Sequence, residues 1–180
     1  MKAISVMILM FATGALIARE AAAAQLSVPM YEVNTDGIGQ QVGTVLVRES
    51  PYGLLFQAQM EKLVAGTHGF HVHKGASCEP SIVNGNVVPA GVAGGHWDPE
   101  DTNKHAGPYG NGHRGDLPPV HADMDGKVGD LVLAPRIHTL DDIRGRTLMV
   151  HAGGDNFDDH PMPLGGGGAR IVCGVILGGA

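Results

Sequence analysis

Two histidines separated by a single residue occur in the stretch GFHVH at residues 69–73. Side chains alternate between the two faces of a β-strand, so His71 and His73 point to one face and Phe70 and Val72 to the other. Such a pair is either half of a metal site or the polar face of an ordinary surface strand. The pattern alone does not distinguish the two.

A second group of potential metal ligands lies in one loop, within the stretch GGHWDPEDTNKHAGPYGNGHRGD. Its donors are His96, His105, His113 and Asp116. Three imidazoles and one carboxylate are a suitable set for tetrahedral zinc, and the intervening glycines and prolines let the loop fold back on itself. The alternative is a polar, solvated loop, but such a loop has no reason to hold three histidines and so little lysine.

His151 stands alone at the end of the apolar stretch RTLMVHA. Alone, it is typical of an ordinary strand-end residue. Together with His71 and His73 it would supply a third imidazole, and imidazole-rich sites suit copper. The other histidines lack such partners, and we expect surface positions or ordinary hydrogen bonds for His68, His121, His138 and His160.

The elements that must position these residues are predicted to be short β-strands separated by turn residues. The predicted strands are 26–34, 41–49, 52–60, 70–74, a hairpin over 120–134 about Asp125-Gly126, 146–152 and 169–177. The stretch 139–145 is the one helix-like candidate. This spacing favours a β-sandwich or closed barrel. The remaining stretches, 74–118 and 152–168, are long and rich in Gly, Pro, Asp and His, so we expect functional loops.

Residues 1–24 have the layout of a secretory signal peptide, with Lys2, an apolar run and the small residues Ala22 to Ala24. We expect cleavage near Ala24 and one mature domain over 25–180. The alternative is a retained amphipathic anchor. The apolar run is too short for a comfortable membrane span, and no later stretch approaches the roughly 20 apolar residues that a span needs. We therefore expect no membrane association after cleavage.

Charge and cysteine content narrow the function classes. The formal net charge is −6, and it becomes −7 without the signal peptide, which carries Lys2, Arg19 and Glu20. An acidic chain has no basic surface for nucleic acid, so we expect no nucleic-acid partner.

Cys78 and Cys173 are the only cysteines. In an exported protein a pair is most simply a disulfide; two free thiols are the weaker alternative.

Five motifs together carry a family resemblance: GFHVH, GGHWDP, HAGPYGNGHRGDLP, GRTLMVHAGGDN and GGGGARIVCGVI. In this order they resemble the copper/zinc superoxide dismutases, in particular the exported bacterial branch, over essentially all of the chain after the signal peptide. The resemblance implies an all-β fold, an eight-stranded Greek-key β-barrel (a flattened sandwich) with long functional loops. It also implies a periplasmic location and one copper and one zinc ion per subunit.

The resemblance also implies roles for individual residues. It assigns copper to His71, His73, His96 and His151. It assigns zinc to His96, His105, His113 and Asp116, so that His96 is shared. Asp155 matches a carboxylate that links His71 to His105. Cys78 and Cys173 match the family's disulfide, and Arg170 matches its active-site arginine.

The implied activity is the disproportionation of superoxide to dioxygen and hydrogen peroxide by cycling Cu(II)/Cu(I), with zinc as the structural and tuning metal. In the family, His96 leaves copper on reduction and carries a proton, and Arg170 attracts and orients the anion. Two rivals remain: a copper/zinc binding or delivery protein on the same fold, and a structural barrel with metal-braced loops. Arg170 and Asp155 favour turnover, because a carrier does not need a cation that guides a substrate.

The sequence also suggests roles for a few basic residues outside the ligand sets. Lys74 and Lys104 are candidates for steering the substrate. Arg146 is expected to have a structural role. A monomer and a homodimer are both compatible with the sequence.

Overall fold

The computed structural model describes residues 24–177. The expected signal peptide, apart from Ala24, lies outside the described residues. Within them, no helix has the length and apolar character needed to cross a membrane. The strands are β1 (Gln25–Asn34), β2 (Gly37–Ser50), β3 (Gly53–Met60), β4 (Gly66–His68), β5 (Phe70–His73), β6 (Ser81–Val83), β7 (Asn86–Val88), β8 (Val120–Ala122), β9 (Leu131–Ala134), β10 (Thr147–His151) and β11 (Arg170–Val175).

Seven strands form one curled sheet in the order β5-β10-β11-β1-β2-β3-β9, and β4 pairs with β8. Only Gly69 separates β4 from β5, so these two count as one long strand that reaches both partners. The Asp123 N–H donates to the Lys127 carbonyl at 2.9 Å, next to the turn that joins β8 to β9. With the small β6–β7 hairpin set aside, eight strands form a curled sheet of the predicted barrel type.

The predicted hairpin over 120–134 is wrong as a pairing, although its turn is present. The Gly126 N–H donates to the Asp123 carbonyl at 2.9 Å, with Gly126 at a φ of 75°. The two flanks then diverge, because β8 pairs with β4 and β9 pairs with β3. Each flank hydrogen-bonds to a strand from the first half of the chain, a choice that local turn chemistry does not determine.

The stretch 74–118 contains the β6–β7 hairpin, which was not predicted. Its turn residues, Asn84 and Gly85, have φ values of 50° and 78°. Left-handed backbone at both central positions is typical of a primed two-residue turn, for which Asn-Gly is the favoured pair. The sequence therefore held this signal. The helix-like stretch 139–145 forms one 3₁₀ turn, Leu140–Asp142, begun by Thr139 in a capping box with Asp142.

The barrel core is built from alternate residues of the long strands. Phe56 and Phe70 meet edge to face with ring centroids 6.1 Å apart. Val72, Leu148 and Val150 are fully buried in the same cluster. In β5 the residues between the core side chains are histidines, so the strand places its imidazoles on the outer face of the barrel, as predicted.

That outer face is covered by the long loop after β5. A second apolar cluster lies there, made of Val33, Cys78, Ala90, Ala93, Met149 and Cys173. The disulfide Cys78–Cys173 fastens the loop to β11, which confirms the predicted pairing. Because the loop excludes water from this face, polar residues on it are as buried as the core.

Candidate metal centre

Strand register brings three imidazoles to one place. Within the antiparallel pair of β5 and β10, His71 lies opposite Met149, and Phe70 lies opposite Val150. His151 follows on the same face as Met149, and its N–H donates to the Gly69 carbonyl at 2.9 Å. His71, His73 and His151 are 0%, 1% and 5% exposed. They come from strands almost 80 residues apart in sequence, yet sheet geometry alone makes them neighbours.

The loop ligands are held against the free edge of β5. This strand ends the seven-stranded sheet, so its outer N–H and C=O groups need partners. The Trp97 N–H donates to the Val72 carbonyl and the Val72 N–H donates to the Gly115 carbonyl, both at 2.8 Å. These bonds seat His96 opposite His73 and Asp116 opposite His71. The loop residues thus act as a short additional strand.

Backbone carbonyls fix the tautomers of two strand histidines. His73 Nδ1 lies 2.8 Å from the Gly94 carbonyl and His151 Nδ1 lies 3.1 Å from the Gly168 carbonyl. A carbonyl can only accept, so each Nδ1 carries the proton and each Nε2 presents a lone pair. The two Nε2 atoms face each other at 3.3 Å. Two lone pairs at this distance are suited to a shared cation.

Asp155 fixes two more rings in the same way. His71 Nε2 donates to Asp155 Oδ2 and His105 Nε2 donates to Asp155 Oδ1, both at 2.7 Å. The Nδ1 atom of each ring therefore has a lone pair that is free to bind a metal ion. Asp155 connects the strand histidines to the loop histidines, which agrees with the linking position that the resemblance assigns to it.

A second carboxylate, Asp116, lies among three loop imidazoles. Its oxygens are 2.9 Å from His96 Nδ1, 3.1 Å from His105 Nδ1 and 3.4 Å from His113 Nδ1. The contacts with His105 and His113 are short, but neither nitrogen points at the carboxylate as a hydrogen-bond donor does. His96 Nδ1 is hydrogen-bonded to the carboxylate, but two further nitrogens that lie beside it without a hydrogen bond fit a bound cation better than a hydrogen-bond network.

Ring nitrogens without a hydrogen-bond partner indicate that metal ions fit this centre. In the described chain, four ring nitrogens are buried with no hydrogen-bond partner: His71 Nδ1, His96 Nε2, His105 Nδ1 and His113 Nδ1. Buried polar atoms normally have a hydrogen-bond partner, so four ring nitrogens without one in the same place need an explanation. Metal ions provide it, because imidazole nitrogens and a carboxylate suit both copper and zinc.

The donors form two groups, each with atoms within 4.8 Å of one another: His71, His73, His96 and His151, and then His71, His96, His105 and Asp116. The first is the predicted copper set. In the second, His71 stands where the prediction has His113. His71 belongs to both groups because its ring stacks on that of His96, with centroids 3.9 Å apart.

Burial and carboxylates act in opposite directions on the histidine pKa values. Desolvation holds the pKa of His71 and of His73 well below the ordinary value and lowers that of His151 to about 4. Burial also lowers the pKa of His96. For His105, burial is outweighed by the carboxylates of Asp116 and Asp155, which raise its pKa to about 9.

Both carboxylates remain ionised despite their burial. Neighbouring imidazoles hold the pKa of Asp116 and of Asp155 well below the ordinary value. The loop group therefore contains negative charge, which favours a divalent cation. The strand group around His73 and His151 consists of neutral nitrogen ligands.

Arg170 lies at the strand group. Its two terminal nitrogens each donate at 2.6 Å, Nη1 to the Ala90 carbonyl and Nη2 to the Gly94 carbonyl. Gly94 also accepts from His73, so one carbonyl orients an imidazole and the guanidinium together. Arg170 is half-buried and lowers the pKa of His73 and of His151 through its positive charge. It is a fixed cation directly beside these ring nitrogens.

The remaining histidines divide as expected. His121, His138 and His160 are exposed. His68 is buried and hydrogen-bonded at both ring nitrogens, with the Val64 and His151 carbonyls each at 2.8 Å. Sequence reasoning missed the Gly94 and Gly168 carbonyls that orient the rings, since a backbone acceptor leaves no mark on residue type. It also missed Asp159, which accepts the His105 N–H at 2.9 Å.

Known proteins share both the sequence and the fold. The sequence profile described as copper/zinc superoxide dismutase (SODC) matches residues 41–176. The Cu-Zn superoxide dismutase of Brucella abortus is 54% identical over 164 residues, 91% of this chain and 95% of that protein. The Cu-Zn superoxide dismutase of Escherichia coli K12 is 47% identical over 173 residues, 96% of each.

Solved structures of the same family share the fold of this chain. The Cu/Zn superoxide dismutase from Brucella abortus matches with a TM-score of 0.84 at 54% identity, over 85% of this chain and 99% of that one. The monomeric copper, zinc enzyme from Salmonella enterica matches with a TM-score of 0.77 at 48% identity, with the same coverage. These matches confirm the predicted β-barrel fold. The chain belongs to the copper/zinc superoxide dismutases, with copper and zinc as its metals and superoxide as its substrate.

Proposed function

We propose that this chain disproportionates superoxide at a two-metal centre whose halves share His96. The strand group, His71, His73, His96 and His151, would hold copper. The loop group, His96, His105, His113 and Asp116, would hold zinc. The observation that carries this assignment is that buried donor residues form two groups, each with ligand atoms within 4.8 Å of one another, and that four of their and their neighbours' ring nitrogens have no hydrogen-bond partner.

The choice of His113 over His71 for zinc depends on which nitrogens are free. His71 Nε2 already donates to Asp155, so His71 has one donor left, and the strand group needs it. His113 offers an unpartnered Nδ1 that lies 3.4 Å from the carboxylate shared with His96 and His105. Each half would then have four ligand residues, with His96 belonging to both.

The residues around the strand group supply substrate binding and protons. Copper, when bound, supplies the one-electron chemistry by alternating between Cu(II) and Cu(I). Arg170 attracts the small anion and offers N–H donors that orient it. Its two carbonyl contacts hold the guanidinium still. His96 Nε2, the nitrogen that faces away from Asp116, is the atom from which a proton can pass to the reduced product.

We also propose that the chain is exported. Cleavage near Ala24 would leave a mature domain over 25–180 in the periplasm. Three observations support export: the layout of residues 1–24, the Cys78–Cys173 disulfide and the bacterial origin of the relatives. Disulfides persist mainly outside the reducing cytosol. The Salmonella enterica relative is described as monomeric; light scattering on the mature chain distinguishes a monomer from a homodimer.

The test uses the mature chain loaded with copper and zinc in a cytochrome c competition assay for superoxide. The intact protein should inhibit cytochrome c reduction, whereas His96→Ala should lose activity and retain neither metal fully, because both groups share that ring. His138→Ala removes an exposed histidine and serves as the matched control. Full metal content in His96→Ala would contradict the shared ligand, and an inactive protein with both metals bound would contradict the proposed centre.

A further inference from the structure

Asp159 lies outside both donor groups but contacts the zinc half directly. Its Oδ2 accepts the backbone N–H of His105 at 2.9 Å. Its Oδ1 accepts the N–H of Leu164 at 3.2 Å. One carboxylate thus connects the loop that carries His105 to the 3₁₀ turn Leu164–Gly166, four residues before Arg170.

His105 is therefore held at two points by one segment. Asp155 accepts from its ring at 2.7 Å and Asp159 accepts from its backbone. Gly165 closes over the same residue. A Cβ at Gly165 would lie 2.2 Å from Asp155 Oδ1 and 2.8 Å from His105 Nε2, so only glycine leaves the ring bond intact. The segment 155–165 packs directly on this ligand.

The loop around His105 has little regular structure of its own. The His113 N–H donates to the Lys104 carbonyl at 2.9 Å, but no named strand or helix lies between residues 94 and 119. The position of the His105 backbone thus depends on bonds such as the one from Asp159. Hydrogen bonds to an ionised acceptor are stronger than neutral ones. The His105 N–H is also the main reason that the pKa of Asp159 lies below its ordinary value.

We propose that Asp159 is a positioning residue for zinc: it fixes the backbone of His105 so that Nδ1 points at the metal. Its second bond, to Leu164, links the zinc half to the segment that leads to Arg170. The inference rests on the proposed zinc ligands, because it concerns a residue that acts through one of them.

Zinc affinity is the direct test, measured on the mature, copper-loaded chain by competition with a chromophoric zinc chelator. Outer carboxylates of this kind typically change metal affinity by about 10-fold to 100-fold when they are removed. We expect a loss in this range for Asp159→Asn, which keeps one accepting oxygen, and a loss at least as large for Asp159→Ala. The absorption spectrum of Co(II) bound in place of zinc should change in both variants, because the ring orientation changes.

Asp158→Asn is the matched control. It removes the same charge one residue earlier, where the side chain accepts only the exposed His160 N–H. Its zinc affinity and Co(II) spectrum should stay at the wild-type values, as should copper content in all three variants. Wild-type zinc affinity in Asp159→Ala would overturn the inference, and so would an equal loss in Asp158→Asn, which would mark a charge effect. His105→Ala separates the two proposals: zinc retained there contradicts the ligand set itself.

Discussion

The two halves of the metal centre are built in different ways. The copper half is built on strands, and its rings at His73 and His151 are oriented by the Gly94 and Gly168 carbonyls. The zinc half is built on a loop, where Asp116 orients the ring of His96 and Asp155 orients the ring of His105; Asp155 also orients the ring of His71 in the copper half. Strand register can place a ligand without help from charge, whereas an irregular loop needs charged partners to hold its ligands.

This difference has an electrostatic consequence. Burial lowers the pKa of His73 and of His151, whose acceptors are neutral carbonyls, and the pKa of His151 falls to about 4. Carboxylates instead raise the pKa of His105 to about 9. The zinc half thus carries compensated buried charges, and removing one partner should damage it more than an equal change would damage a neutral network.

The largest expected effect follows from removing that charge with Asp116→Asn. Breaking a buried ion pair from one side typically costs about 3–5 kcal/mol. We expect zinc to be lost on dialysis against a chelator while copper stays bound, with metal content measured by elemental analysis. His151→Ala should show the reverse. If both variants lose both metals equally, the halves form one cooperative unit and the contrast between them fails.

Arg170→Glu tests the copper half without touching a metal ligand. Removing one oriented charged donor typically lowers a rate by about 10²-fold to 10³-fold, and a carboxylate in its place also repels the anion. We expect kcat/KM to fall to this extent with metal content unchanged. Arg170→Lys keeps the charge but not the paired donors, so its loss should be smaller. An unchanged rate in Arg170→Glu would remove the role assigned to this residue.

The disulfide tests whether the copper half depends on its covering loop. Replacing both cysteines, with Cys78→Ser and Cys173→Ser, should lower the free energy of unfolding by about 2–4 kcal/mol, measured by chemical denaturation. The same loop supplies the Ala90 and Gly94 carbonyls that hold Arg170. In this double variant, the fold-decrease in kcat/KM should therefore be larger than the fold-decrease in zinc affinity. Unchanged activity and copper retention in buffer without reductant would show that the disulfide does not position Arg170.

The smallest expected effect compares two surface lysines. Lys74 lines a cavity of about 300 Å³ together with His96, whereas Lys104 does not line it. Steering by one exposed charge is modest and is screened by salt, so Lys74→Gln should lower kcat/KM about twofold at low ionic strength. The difference should vanish at high salt. A larger effect from Lys104→Gln would show that superoxide does not approach through this cavity.

The sequence predicted the copper half better than the surroundings of the zinc half. Alternation in GFHVH put His71 and His73 on one face, because a period of two is a local property of a strand. Asn84-Gly85 carried an equally local signal for the β6–β7 hairpin, and it was missed. The pairing of β8 with β4 and the bonds of Asp159 had no local signal, since they join residues brought together only by the folded chain.

Residue types and spacing alone indicated the candidate donor residues, the all-β character and the pairing of two cysteines. Tertiary structure decided which nitrogen of each ring is free. That choice depends on the acceptor at the other end of the ring, and those acceptors include backbone carbonyls at Gly94 and Gly168 and one carboxylate at Asp155. It also brought Asp159 to the backbone of His105, 54 positions away. Such contacts form only when strand pairing has built the barrel and laid both loops against its outer face.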